Sequence, residues 1–181
     1  MNVEAKALRN KDILNTISNS KPGYYKWWAP LTALNMLSKE LDVELEDIDS
    51  DLEKNNDLYC IYVGIAVKGS LRARLNWHVN QKHRESTVKS GTLSTLRQTI
   101  SSVVAHDQYN EDKTNEFIDL LTIEYYELPF EIKSIETSNE IHNIEKKLLS
   151  SHLRLLNIQG NNHPKAKDIK RTLKALRKGS K

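Results

Sequence analysis

"YCIYVGIAVKGSLRARLNWHV", residues 59–79, starts as an aromatic and β-branched run, passes a turn punctuated by Gly64 and Gly69, and becomes a basic helix. Ser70 stands where a helix cap belongs. Arg74 and His78 are four residues apart, so their side chains are neighbours beside the apolar arc of Leu71 and Leu75. A half-sheltered guanidinium suits bidentate contact with a phosphate, and an imidazole can accept or relay a proton near neutral pH. Taken alone, both also admit a structural reading: a salt bridge for Arg74, a backbone hydrogen bond for His78.

Outward from this stretch, "GYYKWW" at 23–28 reads as a strand with Tyr25 and Trp27 on one face and Tyr24 and Trp28 on the other. "TIEYYEL" at 122–128 alternates in the same way until Pro129. Helical spacing marks an N-terminal helix through Val3, Ala7, Leu8, Leu14 and Ile17, then segments at 31–41, 92–105, 111–121, 138–152 and a basic one at 165–178. The class expected is α+β, a small three-stranded antiparallel sheet flanked by helices. The expected division is an N-terminal extension at 1–21, a core domain at 22–162 with insertions at about 30–57 and 80–121, and a basic C-terminal helix at 163–181.

With 38% hydrophobic and 28% charged residues, the chain belongs with folded globular proteins and not with disordered or fibrous ones. The lone Cys60 cannot pair within the chain and is read as a buried structural thiol in a reducing compartment. The longest nearly apolar stretch, Tyr59–Val67, is too short to span a membrane, and "MNVEAKALRNK" has no apolar signal core, so a cytoplasmic location is expected. Charge is segregated: residues 40–57 hold nine acidic side chains against Lys54, and 146–181 hold eleven Lys or Arg against Asp168. A basic end is either solvated surface or a polyanion-binding face.

On the helix at 138–152, Glu145 falls between Ile141, Ile144, Leu148 and Leu149 when positions are projected at about 100° per residue. A carboxylate in an apolar stripe needs a cation, hydrogen bonds or a proton. Either it reaches water or a lysine at the stripe's edge, or it is a ligand for Mg²⁺, which keeps most of its waters and needs few protein oxygens.

In order and spacing these pieces resemble the GIY-YIG nuclease superfamily. "GYY" (23–25) is similar to its Gly-Ile-Tyr strand, "YVG" (62–64) to Tyr-Ile-Gly, and "LRARL" (71–75) to its arginine helix, with His78 where restriction-type members carry a histidine. "EKKLLSSHLRLLN" (145–157) resembles the glutamate helix and the asparagine loop that follows it. The resemblance implies a metal-dependent endonuclease with Tyr25 as base or water positioner, Tyr62 as its partner, Arg74 on the phosphate and His78 assisting. Glu145 is then the ligand for Mg²⁺ (or Mn²⁺), and Asn157 supports the site. Duplex DNA as substrate, a restriction or defence role and a homodimer are implied in the same way. Lys165, Lys167, Lys170, Arg171, Lys174, Arg177 and Lys178 are candidate contacts to the DNA backbone.

Four departures stand out: 36 residues separate Tyr25 from Tyr62, the turn "GIAVKGS" is a little longer than usual, a helical insertion follows the arginine helix, and Tyr24 replaces the isoleucine. Competing readings are a non-catalytic nucleic-acid-binding or regulatory protein on the same fold, and a nuclease of another class using Asp119 with Glu131 and Lys133. A zinc site is not expected from six scattered histidines and one cysteine.

Overall fold

Aromatic and β-branched residues alternate along the three segments that form the centre of the sheet, while short polar pieces complete its edges. The computed structural model describes residues 1–67, 69–129 and 135–181. In chain order it runs β1 (Asn2–Glu4), a 3-10 turn (Ala5–Arg9), α1 (Lys11–Asn15), β2 (Gly23–Pro30), α2 (Leu31–Leu41) and α3 (Leu45–Ile48). There follow β3 (Lys54–Asn55), β4 (Leu58–Ala66), α4 (Leu71–Asn80), α5 (Glu85–Lys89), α6 (Thr95–Val104) and α7 (Glu111–Asp119). The chain closes with β5 (Thr122–Glu127), α8 (Ile135–Ser151) and α9 (Ala166–Gly179).

The α+β class is as expected, but the antiparallel sheet has five strands in the order β1-β5-β2-β4-β3, not three. The central three are the ones legible from alternation. The additions satisfy edges. Residues 2–4, expected to be helical, pair with the outer edge of β5 through Val3 and Ile123, and the Met1 amino group donates to the Tyr125 carbonyl at 3.0 Å. The expected N-terminal helix survives only as the 3-10 turn and α1. The acidic stretch after α2 folds as α3, a 3-10 turn and β3, which turns back onto β4 at Asn56 with φ +52.

Alternation along β2 sorts its side chains as expected. Tyr25 and Trp27 lie in the main core with Leu34, Ile61, Leu75 and Ile100, and Trp28 joins Cys60, Val63 and Leu149 in a smaller cluster. Burial pushes the Cys60 thiol up to about 12, as befits an inert core thiol. β4 is bulged opposite Trp27/Trp28, where Ile61 is the extra residue between the partners Tyr62 and Cys60.

The acidic insertion has a packing role. Glu53 takes Lys26 at 2.5 Å and also the fully buried Arg154, while Asp51 takes Lys165 at 2.6 Å. The basic tail is thereby moored to it. Beyond β3 the outer edge of β4 is covered by the chain after α8: Leu156 N–H donates to the Ile61 carbonyl at 3.0 Å. α4, packed in the main core through Leu71, Leu75 and Val79, and α8, packed through Leu149, approach this edge together. Among the described residues no helix is long and apolar enough to cross a membrane.

Candidate active site

At that edge lies an open cleft of about 360 Å³ lined by Tyr25, Tyr62, Gly64, Arg74, Trp77, His78, Ser138, His142, Glu145 and Gln159, among others. β2 supplies Tyr25, β4 Tyr62, α4 the arginine and histidine, and α8 the glutamate. Of the six candidate catalytic residues, the structure brings five together here. The sixth, Asn157, lies beneath: its Oδ1 accepts from Val63 N–H and its Nδ2 donates to the Val63 carbonyl, both at 2.9 Å. The amide thus replaces a missing neighbour strand on β4 and ties the loop after α8 to it.

Tyr25 is 2% exposed and its hydroxyl lies 2.6 Å from His78 Nε2. Burial pushes this phenol well above its ordinary value of 10, with the neighbouring Tyr62 adding to the rise. Burial holds the His78 imidazole down to about 3, with the Arg74 and Arg97 charges acting in the same direction. At neutral pH the pair is therefore phenol and neutral imidazole. His78 is hydrogen-bonded at both ring nitrogens, Nε2 to the Tyr25 hydroxyl and Nδ1 to Ser94 Oγ at 2.5 Å.

Ser94 and Arg97 come from the segment between α4 and β5. Ser94 is fully buried and also caps α6, accepting from Arg97 N–H at 3.4 Å. The buried Arg97 guanidinium donates to the carbonyls of His78 at 3.1 Å and Val79 at 2.9 Å, at the end of α4. Both therefore set the position of His78. The Arg74 guanidinium lies over the Trp77 ring, 4.9 Å from its centroid, which holds the arginine beside the cleft.

Glu145 is half-buried. Loss of hydration raises its carboxyl above the ordinary range, partly offset by His142 and Arg74. Burial likewise pushes the Tyr62 hydroxyl up to about 12, with Glu145 contributing and Arg74 opposing. Arg177, bonded to Gln98, is close enough for its charge to be felt at Tyr62.

A family model described as the GIY-YIG catalytic domain matches residues 23–179. The chain belongs to the GIY-YIG family. No match was found among curated proteins or among solved structures. The GIY-YIG glycines have physical reasons here. A Cβ on Gly64 would sit 2.5 Å from the Tyr25 hydroxyl, and one on Gly23 would sit 2.2 Å from the Tyr126 carbonyl. The first makes room for the phenol against β4, and the second lets β5 approach β2.

Sequence reasoning missed Ser94, Trp77 and His142. Trp77 lies three residues from Arg74 and His142 three from Glu145, so helical spacing held the signal for both. Nothing local marks Ser94. Of the GIY-YIG domain's basic tail, Lys167, Arg171, Lys174 and Lys178 are exposed on α9. Lys165 is engaged by Asp51, Lys170 donates to the Asn161 carbonyl at 2.7 Å, and Arg177 is partly covered. Asp119, from the competing carboxylate reading, accepts both Nε and Nη2 of Arg9. Its partners Glu131 and Lys133 lie outside the described residues.

Proposed function

We propose that this GIY-YIG chain is a divalent-metal-dependent endonuclease that hydrolyses phosphodiester bonds in DNA, of restriction or defence type. The observation that carries the reading is the convergence of Tyr25, Tyr62, Arg74, His78 and Glu145 on one open cleft. Hydrolysis needs a positioned water, donors aimed at the phosphoryl oxygens and stabilisation of the leaving oxygen.

Arg74, held by Trp77, binds a non-bridging phosphate oxygen through charge-assisted hydrogen bonds. In the Nδ1–H tautomer of His78, Tyr25 O–H donates to Nε2, so its oxygen lone pairs are free to accept from the attacking water. The water proton then passes to Tyr25 as the phenolic proton passes to Nε2, with Ser94 holding Nδ1–H throughout. Pairing a phosphate with Arg74 neutralises one of the charges that depress His78, which makes the imidazole a better proton acceptor once substrate is bound. Tyr62 stays protonated and donates to the phosphate or the water.

The donor set fits a hard cation: a carboxylate short of hydration, in a cleft open enough for water ligands. Mg²⁺ (or Mn²⁺) bound by Glu145 would supply charge neutralisation and stabilisation of the leaving oxygen. The histidine four residues after Arg74 supports the restriction-type reading, and the exposed cations of α9 support a polyanionic partner. Each chain carries one such cleft, so cutting both strands of a duplex calls for a homodimer or two successive nicks.

The test is incubation of the purified protein with methylated and unmethylated plasmid, single-stranded and branched DNA, with Mg²⁺ or EDTA. Cleavage that needs the metal and is lost in Glu145→Ala with the fold kept is expected. Binding without cleavage of any substrate would overturn the enzyme reading in favour of a non-catalytic DNA-binding protein.

A further inference from the structure

His142 lies one helical turn before Glu145 on α8, and both side chains line the same cleft. Residues three apart on a helix have Cβ atoms about 5–6 Å apart on one face, and glutamate-histidine pairs at this spacing ligate metals together in helical bundles. The imidazole is already oriented. Its Nδ1–H donates to the Ser138 carbonyl at 2.7 Å, one turn earlier on α8. Metal-bound histidines characteristically spend the second ring N–H on such an acceptor, which fixes the tautomer and leaves the other nitrogen lone pair for the ion. Here that nitrogen is Nε2, which has no protein partner among the described residues.

We propose that His142 Nε2 is a second protein ligand, beside Glu145, for the divalent cation of this site. The inference rests on the metal-dependent reading above and deepens it. One carboxylate oxygen and one imidazole, with water completing the shell, change the metal preference. Mg²⁺ favours oxygen ligands throughout, whereas an imidazole raises affinity for Mn²⁺ and more so for the later divalent ions. Among the described residues no group of three His, Cys, Asp or Glu side chains is placed to hold a metal.

The experiment loads the full chain, His142→Ala and Glu145→Ala with Mn²⁺, and records electron spin-echo modulation from ligand nitrogen alongside calorimetric affinities for Mn²⁺ and Mg²⁺. His142 is exposed, so its substitution spares the core, which circular dichroism checks. The wild type should show directly bound ¹⁴N that disappears in His142→Ala. Mn²⁺ affinity should fall at least about tenfold in that variant and Mg²⁺ affinity far less. Mn²⁺ bound through Glu145 with metal-dependent cleavage, but without nitrogen coupling or with coupling that persists in His142→Ala, would overturn this inference and leave the nuclease reading standing. Absence of both metal binding and metal-dependent cleavage would overturn the two together.

Discussion

Ser94 decides how His78 meets Tyr25, because its hydroxyl holds Nδ1 while Nε2 faces the phenol. In Ser94→Ala the turnover rate should fall roughly tenfold or more, part of the 10²–10⁴-fold that a positioned proton acceptor contributes. KM for DNA should change little, and Ser94→Thr should restore most of the rate. Loss of the helix cap alone would cost about 1 kcal/mol of stability without slowing turnover in the folded protein, so melting curves beside the rates separate the two effects. His78 also ties stability to pH. Its folded value of about 3 lies below the ordinary 6.5, so the unfolded chain binds the proton first. Its contribution is fully present above about pH 6.5 and is lost as pH falls from there toward 3, at up to roughly 1.4 kcal/mol per pH unit. His83, lowered mainly by burial, adds to the same slope. Denaturant melts between about pH 7 and 4.5 should show a shallower slope in His78→Gln, and an unchanged slope would contradict this assignment. The tyrosines, Arg74 and His78 were legible through the order and spacing of the motifs that carry them, and Glu145 also as a carboxylate in an apolar stripe. Ser94 was not, since it meets His78 across sixteen residues through the packing of an insertion.

At the scale of elements, α9 is two-sided. Ala166, Ile169 and Leu173 are buried, and Lys167, Arg171, Lys174 and Lys178 project as one exposed stripe about 16 Å long. Replacing these four with alanine should weaken DNA binding similarly across sequences. It should also reduce the slope of log affinity against log salt by about three to four, at ~0.9 for each phosphate that is no longer neutralised. A variant with the wild-type salt slope would remove α9 from the interface. Lys165 and Lys170 are poorer candidates for such contacts, being engaged by Asp51 and the Asn161 carbonyl. The periodicity of α2, α6 and α9 was readable because each has a continuous apolar face. β1 and β3 were not, because strands of three and two residues carry no alternation and exist by virtue of the edges they cover.

Across the whole molecule, groups far apart in the chain are brought to one edge of one strand. The bulged β4 presents Tyr62, Gly64 makes room for Tyr25, Asn157 closes the edge, and the insertion behind α4 fixes His78. The order of motifs announced this convergence, whereas the closure by Asn157 and the mooring of the tail to the acidic insertion depended on tertiary pairing that no local pattern encodes. Residues that act on one phosphate as a unit show non-additive losses. The most direct measurement is single-turnover DNA cleavage by Tyr25→Phe, Arg74→Ala, Glu145→Ala and the triple variant. Each single substitution should lose at least about a hundredfold, and the triple little more than the worst of them. Losses that multiply across the three sites, or any one variant cutting at the wild-type rate, would contradict a single shared cleft.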